Sequence, residues 1–151
     1  MVSTGTMAAL DRASLLCDQR GTKLTALRRQ VLGLILESEA PIGAYDLLDR
    51  LRADRKAAAP PTVYRVLEFL REQGLVHRIE RLAAFVGCIG GAPHEHAAQF
   101  LLCRGCGRVT EIDDHDLAHA LLAAAKRVGF TVTGATVEAE GLCADCATAT
   151  T

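Results

Sequence analysis

PPTVYRVLEFLREQGLVHRI, residues 60–79 of a 151-residue chain, is the stretch that indicates the fold of the N-terminal half. Two prolines suit the first turn of a helix, because proline has a fixed φ and no amide proton to satisfy. Apolar side chains then recur at helical spacing, at Val63, Val66, Leu67 and Leu70. After Gly74 the period changes to two, which predicts a strand over 75–79.

Three shorter helices are predicted ahead of this stretch. The spacing of their apolar residues gives ranges of 10–17, about 26–40 and about 43–54. A second alternating segment, 84–86, completes a β-hairpin with the first strand. Several short helices followed by a hairpin predict a winged helix-turn-helix domain for DNA binding over 1–86.

A glycine-rich segment, 87–93, follows this domain and is predicted to be a hinge. Beyond it, a helix is predicted over 114–128, and strands over 99–102, 109–112 and 131–139. The helix is expected to turn Leu117, Leu121 and Val128 inward. The fold class is therefore α+β. The second domain, 94–151, is small for burying its own apolar surface, so we expect it to pair with a second copy as a dimerisation domain.

The net charge of −1 conceals an asymmetry between the two halves. Residues 1–82 carry 13 Lys and Arg against 10 Asp and Glu, whereas residues 83–151 carry 4 against 8. Because the N-terminal excess is small, binding to DNA phosphates requires a few well-placed cations or the doubling that a dimer provides.

The chain has neither a run of 18 apolar residues nor the pattern of a signal peptide, so we expect a cytoplasmic protein without a membrane partner. The cytoplasm keeps thiols reduced. Six cysteines in that setting indicate metal binding or catalysis rather than disulfides.

Four of the cysteines form two Cys-x-x-Cys pairs, Cys103 with Cys106 and Cys143 with Cys146. Two such turns supply the four thiolates that a tetrahedral structural zinc requires, and four protein ligands leave no open position for catalysis. The alternatives are two redox-active pairs or a pair of surface disulfides. The expected compartment and the lack of a thioredoxin-like βαβ pattern disfavour both.

A second group of candidate ligands lies on both sides of the hinge, at His77, Cys88, His94, His96 and Glu111. One thiolate, two imidazoles and one carboxylate suit Zn²⁺, whereas nitrogen and oxygen ligands alone favour iron or manganese. A metal held there would fix the orientation of the two domains. The alternatives are a solvated strand histidine at 77 and a small buried hydrophobic residue at 88.

Two other features have structural interpretations. His115 and His119 stand one helical turn apart and could begin a further metal site, but an exposed pair is expected. Cys17 falls on the apolar face of the first helix and is expected in the core.

The fourth helix leaves Thr62, Tyr64 and Arg65 near its exposed N-terminal turns, where recognition helices meet base edges and phosphates. Arg65 is the candidate for a base contact, because arginine can donate two hydrogen bonds to guanine. Further candidates, for contacts to phosphates, are Lys23, Arg28 and Tyr45.

The chain contains four motifs in this order: Gly21-x-Lys23-Leu24-Thr25-x-x-Arg28, Pro61-Thr62-Val63-Tyr64-Arg65-x-Leu67, Cys103-x-x-Cys106-Gly107 and Cys143-x-x-Cys146. Together they resemble the Fur family of metal-responsive repressors over nearly the whole chain. The resemblance implies a homodimeric regulator, not an enzyme, in which bound metal promotes binding to double-stranded operator DNA.

Within that family the resemblance is to the zinc-sensing branch, through Tyr45-Asp46-Leu47-Leu48 and residues 60–65. It implies a sensing zinc held by His77, Cys88, His96 and Glu111, with His94 as a replacement or additional ligand. It thus implies about two Zn²⁺ per subunit. Residues 97–102 stand where Fur proper has a His-rich cluster, which disfavours iron sensing.

The sequence therefore predicts a zinc-responsive repressor of zinc-uptake genes. It leaves open a family member that senses iron, nickel or manganese, and a thiol redox switch that releases zinc. It also leaves open whether one or two dimers bind each operator, for which Asp49 and Arg52 are candidate contacts. A zinc hydrolase or deaminase is disfavoured, because no His-Glu-x-x-His motif is present.

Overall fold

A computed structural model describes residues 1–88 and 97–149, and the chain divides into two compact units, Met1–Pro93 and His94–Thr151. The first unit contains α1 (Thr4–Gln19), α2 (Ala26–Leu36), β1 (Ile42–Gly43), α3 (Ala44–Arg52), α4 (Pro60–Glu72), β2 (Val76–Ile79) and β3 (Ala84–Gly87). The second unit contains β4 (Ala98–Cys103), β5 (Val109–Ile112), α5 (His115–Arg127), β6 (Thr136–Gly141) and α6 (Ala144–Ala149).

One hydrophobic core holds the first unit together. The predicted apolar stripe of α4 is buried, at Val63, Val66, Leu67 and Leu70. These side chains pack in one cluster with residues of α1, α2 and α3, and each fully buried leucine or valine contributes about 1.5–3 kcal/mol. Cys17 has no exposed surface, so its interpretation as a core residue is confirmed.

The predicted hairpin forms and completes a winged helix. β3 pairs antiparallel with β2, with Arg78 opposite Phe85. β1 was not predicted and pairs antiparallel with the other edge of β3, where Ile42 lies opposite Phe85. A strand of two residues has too short a pattern to recognise, and its partner lies about forty residues away. The α+β class and the winged helix-turn-helix prediction are confirmed.

The first helix is longer than predicted, because it begins at Thr4 rather than near residue 10. The Ser3 hydroxyl accepts a hydrogen bond from the Thr6 amide at 3.2 Å and so caps the helix. The Ser3 amide donates to Glu37 Oε1 at 3.0 Å, just beyond the end of α2. The apolar spacing alone missed this cap, because Thr4–Ala9 offers little apolar pattern.

The second unit is a three-stranded sheet in the order β5-β4-β6, with β4 antiparallel to β5 and parallel to β6. The buried Gln99 holds the start of α5 to this sheet. Its side-chain amide donates to the Asp114 carbonyl at 2.9 Å and its oxygen accepts from the Asp114 amide at 3.1 Å.

The predicted strand over 131–139 was wrong at its start, because only Thr136–Gly141 pairs with β4. The helix α6 was not predicted.

The prediction that α5 turns Leu117, Leu121 and Val128 inward was wrong for the single chain. Their exposed fractions are 39%, 36% and 79%, and Ala118 is the buried residue of this helix. Three strands of four to six residues are too small to cover an amphipathic helix of 13 residues. The predicted hinge, 87–93, falls mostly outside the described residues.

Over residues 1–88 and 97–149, no helix combines the length and the apolar character that crossing a bilayer requires.

Replacing Glu37 with Gln should weaken the docking of α1 in a pH-dependent way. Hydrogen bonds from the Thr6 hydroxyl, and from the hydroxyl and amide of Ser3, hold the pKa of Glu37 below its ordinary value of 4.5. A carboxylate with a lowered pKa stabilises the fold above its unfolded pKa, and this stabilisation is lost as the pH falls through the folded pKa. We therefore expect Glu37→Gln to melt below the wild type at pH 7 and to approach it at pH 4.

Thermal melting followed by circular dichroism measures this difference. Glu39→Gln is the matched control, because it removes an exposed carboxylate two residues away. An equal difference between Glu37→Gln and the wild type at both pH values would contradict the assignment.

Candidate metal centres and nucleic-acid face

The register of the second sheet brings the two Cys-x-x-Cys pairs together. β4 pairs in parallel with β6, so that Cys103 lies opposite Gly141, two residues before Cys143. The Cys143 amide then donates to Cys103 Sγ at 3.3 Å. Cys106 Sγ and Cys143 Sγ lie 3.9 Å apart, and the four sulfur atoms, including that of Cys146, all lie within 4.8 Å of one another.

Two glycines shape the turn that carries the first pair. Gly107 has a φ of +74° and donates its amide to the Cys103 carbonyl at 2.9 Å, a left-handed conformation that glycine adopts without strain. Gly105 is required for another reason. A Cβ atom at this position would lie 2.7 Å from Cys146 Sγ, 2.9 Å from Cys146 Cβ and 3.4 Å from Leu142 Cδ2.

The geometry and acidity of the four thiols fit a zinc ion. With a Zn–S distance of about 2.3 Å, tetrahedral sulfurs stand about 3.8 Å apart, close to the distance between Cys106 and Cys143. Backbone hydrogen bonds, first from Cys143 and then from Cys106, lower the pKa of Cys103 to about 6. Hydrogen bonds with the sulfurs of Cys143 and Cys103 raise the pKa of Cys146 to about 12. One thiol therefore ionises readily while another keeps its proton, and a divalent cation would relieve this crowding of negative charge.

Arg108 lies beside this cluster. The negative charges of Cys143, Cys106 and Asp145 raise the pKa of its guanidinium above the ordinary value, and its Nη1 atom lies 3.4 Å from Asp145 Oδ2. Four thiolates around Zn²⁺ carry a net charge of −2, so a fixed cation nearby favours the thiolate form.

His77 and Cys88 lie on the same face of the wing hairpin. The Cys88 amide donates to the Leu75 carbonyl at 2.9 Å and so continues the β2–β3 ladder by one pair. Residues paired across a ladder share a face, as do residues two apart along a strand, so Cys88 shares the face of Leu75 and His77. A ring nitrogen of His77 and the Cys88 sulfur lie within 4.8 Å of each other, a distance that a shared metal ion could bridge.

The remaining candidate ligands belong to the second unit or lie outside the described residues. Glu111 is exposed on β5, opposite Phe100 of β4. His94 and His96 lie outside the described residues. His115 and His119 lie exposed on α5, and among the described residues neither belongs to a group of three or more potential ligands.

The candidate DNA contacts of α3 and α4 lie on the surface of the first unit. Tyr45 is 69% exposed on the first turn of α3, and Tyr64 is 50% exposed on α4. Both line one groove of about 530 Å³, together with Arg71 and Arg78. Arg65 is exposed beside Tyr64, and Thr62 is half-buried on the first turn of α4.

Lys23 and Arg28 form a local structure of their own. Arg28 Nη1 donates to the Lys23 carbonyl at 2.7 Å, and the Arg28 guanidinium lies 3.5 Å from the centre of the Phe69 ring. These contacts fix the path of the chain before α2 and leave the Lys23 side chain exposed.

Sequence reasoning missed Gly105 and Arg108 as parts of the four-cysteine site. Both lie within two residues of a predicted ligand, in Cys103-Arg-Gly-Cys-Gly-Arg108. That closeness in the sequence was a signal that the charge of Arg108 would lie beside the thiols. The steric requirement at Gly105 had no such signal, because it depends on the approach of Cys146.

Adding one methyl group at Gly105 should disturb the four-cysteine site. We expect Gly105→Ala to weaken zinc retention and to lower the free energy of unfolding by about 1–3 kcal/mol, since the new Cβ overlaps Cys146. Competition with a chromogenic chelator measures the retention. Gly134→Ala is the matched control, because a Cβ there meets nothing within 4 Å. Equal zinc release from both variants would disprove the steric argument.

Comparison with known proteins places these sites in a family. Residues 19–140 match the Ferric uptake regulator family. The zinc uptake regulation protein of Escherichia coli (strain K12) is 39% identical over 146 residues, covering 97% of this chain and 85% of that protein. A solved zinc uptake regulator complexed with zinc and DNA matches with a TM-score of 0.91 and 38% identity, covering 98% of this chain and 99% of that one. The holo form of XcZur matches with a TM-score of 0.84 and 41% identity, covering 93% and 98%. With a match across both the winged helix and the sheet that carries the four cysteines, this chain belongs to the ferric uptake regulator family.

Proposed function

We propose that this protein is a zinc-responsive transcriptional repressor that binds operator DNA as a homodimer and represses zinc-uptake genes. It acts as a regulator rather than an enzyme, as its family does. Its Escherichia coli relative is a zinc uptake regulation protein, and a solved neighbour with 38% identity is complexed with zinc and DNA. A repressor acts where the chromosome is, so we assign it to the cytoplasm.

The observation that carries the proposal is the proximity of two candidate metal ligands on the wing of the first unit. His77 and Cys88 lie on one face of the hairpin that directly follows α4, within 4.8 Å of each other. A thiolate ligand favours zinc over iron or manganese, which prefer oxygen and nitrogen ligands. A metal bound on this hairpin would therefore report the zinc level to the recognition helix.

We propose about two Zn²⁺ per subunit. Cys103, Cys106, Cys143 and Cys146 hold the structural ion, and His77, Cys88, His96 and Glu111 hold the sensing ion. His94 is a replacement or additional ligand. His96 and Glu111 belong to this set on sequence grounds. Bound zinc would cross-link the residues that hold it. Because four protein ligands fill each proposed site, neither keeps an open position for catalysis.

The division of labour along the chain follows from these assignments. We assign DNA binding to 1–86, a hinge to 87–93 and dimerisation to 94–151. Ligands taken from both sides of the hinge would let zinc favour one arrangement of the DNA-reading heads. Converting a 1:99 population into 99:1 requires about 5.5 kcal/mol of differential binding.

Exposed apolar side chains of the second unit support dimerisation through that unit. They are contributed by β4, α5 and the segment after α5, at Leu101, Leu117, Leu121, Leu122, Val128 and Phe130. A soluble monomer rarely leaves this many apolar side chains exposed on so small a unit. Pairing with a second copy would bury them and would double the cations that a DNA site meets.

Sensing of iron, nickel or manganese by the same fold is the second candidate function. The sulfur of Cys88 disfavours it, because these metals are commonly held by nitrogen and oxygen ligands. A thiol switch that releases zinc on oxidation is the third. The first experiment below separates all three.

Removal of the Cys88 sulfur should raise the concentration of free zinc that DNA binding requires. DNA binding to a zinc-uptake promoter fragment is measured by fluorescence anisotropy at buffered free zinc concentrations, and the titration is repeated with iron, nickel, manganese and hydrogen peroxide. We expect wild-type protein to bind only above a threshold of free zinc. Cys88→Ala should fold and dimerise but should require at least tenfold more zinc, since a missing ligand weakens the site.

Cys17→Ala is the matched control, because Cys17 is a fully buried core residue and not a proposed ligand. An unchanged zinc threshold in Cys88→Ala would remove Cys88 from the sensing site. A wild-type response to another metal at lower free concentration would favour the second candidate function instead.

The arginine of the recognition helix should set sequence discrimination. We expect Arg65→Lys to keep most of its affinity for random DNA but to lose about 1–3 kcal/mol of preference for the operator, because lysine cannot form the paired hydrogen bonds of a guanidinium with guanine. The measurement is the ratio of operator affinity to scrambled-DNA affinity at one salt concentration. An unchanged ratio would mean that Arg65 contacts only the phosphates.

A further inference from the structure

The positive excess of the N-terminal half is concentrated in one short segment. We call residues 50–56 the basic turn. It spans the end of α3 and the start of the connection to α4, and it contains Arg50, Arg52, Arg55 and Lys56 against the single carboxylate Asp54. Its net charge of +3 equals the whole excess of residues 1–82, so the rest of that half has equal numbers of cations and anions. The net positive charge of residues 1–82 is therefore not spread evenly over them.

The basic turn has a defined conformation. The Asp54 and Arg55 amides both donate to the Leu51 carbonyl, at 3.2 and 2.9 Å, and the Ala58 amide donates to the Arg55 carbonyl at 2.9 Å. Leu51 itself is fully buried. These hydrogen bonds connect the buried Leu51 of α3, through Arg55, to Ala58, which lies two residues before α4. They therefore fix the backbone of the turn relative to α4, the recognition helix.

A side chain of α2 holds Arg55 in place. The Gln30 side-chain amide donates to Asp54 Oδ2 at 3.1 Å, and its oxygen accepts a hydrogen bond from Arg55 Nε at 2.8 Å. Because Gln30 is neutral, this bond orients the guanidinium without cancelling its charge. The bond uses only Nε, and the two Nη groups, which carry four of the five guanidinium donors, take no part in it.

Arg52 is held in a similar way, since its Nε donates to the Ala58 carbonyl at 3.1 Å. Arg29 and Arg78 differ, because they donate to the carboxylates of Asp11 and Glu80 at 2.7 and 2.9 Å. Arg52 and Arg55 are thus oriented by neutral acceptors and keep their net charge for a partner.

We infer that the basic turn is a phosphate-binding segment of the DNA interface, with Arg55 contacting a backbone phosphate and Gln30 acting as its positioning residue. The inference rests on the DNA binding proposed above. An oriented guanidinium is well suited to phosphate, which accepts paired hydrogen bonds from it. The contact positions the protein on the duplex and reads no base.

The salt dependence of DNA binding tests the contact. Each neutralised phosphate adds about 0.9 to the slope of log affinity against log salt, so losing one contact per protomer should lower the slope of a dimer by about 2. We expect Arg55→Gln to show this change and to bind zinc-loaded operator roughly 5- to 30-fold more weakly at 0.15 M salt. The loss should be equal for operator and scrambled DNA.

Lys126→Gln is the matched control, because it removes one positive charge from α5 of the other unit. It should leave the slope unchanged within about 0.5. If Arg55→Gln keeps the wild-type slope, the basic turn does not contact phosphate. If wild-type protein with zinc fails to bind operator at all, the proposed function fails first, and the two failures are thereby distinguished.

A double-mutant cycle tests the positioning role of Gln30. Gln30→Met keeps the length of the side chain but removes both hydrogen bonds. We expect it to weaken DNA binding about threefold in the wild type and to have no further effect in Arg55→Gln, since the residue that it orients is then gone. The melting temperature of each zinc-loaded variant is measured alongside. Equal effects of Gln30→Met in both backgrounds would assign Gln30 a structural role only.

Discussion

The pairing of β4 with β6 is the constraint on which the second unit depends. Its register brings Cys143 within hydrogen-bonding distance of Cys103 and closes a cluster of four thiols. Four sulfurs this close cannot all carry a negative charge without a cation. Among residues 97–149 the buried ones are few, namely Ala98, Gln99, Phe100, Leu102, Cys103 and Ala118. A zinc ion that contributes about 10–16 kcal/mol would therefore account for much of its stability.

The first unit is stabilised in a different way. Its core joins four helices and the wing hairpin through one continuous apolar cluster, and none of the residues in this cluster is a proposed metal ligand. Because the core fixes the backbone of this unit, its exposed side chains are available for binding DNA. Tyr45, Tyr64 and Arg65 lie on the exposed side of α3 and α4, and Arg55 lies on the connection between these helices. DNA recognition in our proposal thus rests on a rigid scaffold.

In our proposal, metal sensing depends on both units, the first stabilised by its apolar core and the second by its zinc site. His77 and Cys88 share one face of the wing because antiparallel pairing places residues 75 and 88 opposite each other. His77 lies on β2, and Cys88 extends the β2–β3 ladder by one pair, so a bound ion would act on the backbone that follows the recognition helix. In our proposal the four-cysteine site has a structural role, since it joins Cys103 and Cys106 to the segment that follows β6.

Much of this protein was readable from the sequence because its signals are local. Helical spacing in 60–72 indicated α4, and alternation indicated the hairpin. The spacing of Cys103, Cys106, Cys143 and Cys146 predicted a four-thiol metal site, and the structure brings these sulfurs within 4.8 Å of one another. The parts that sequence reasoning missed depend on contacts between distant residues. They include the short strand β1, the crowding of Gly105 by Cys146, and the hydrogen bond that Arg55 donates to Gln30. The exposure of Leu117 and Leu121 was missed for the same reason, because the periodicity of a helix identifies an apolar face, whereas only the tertiary structure decides whether the same chain covers it.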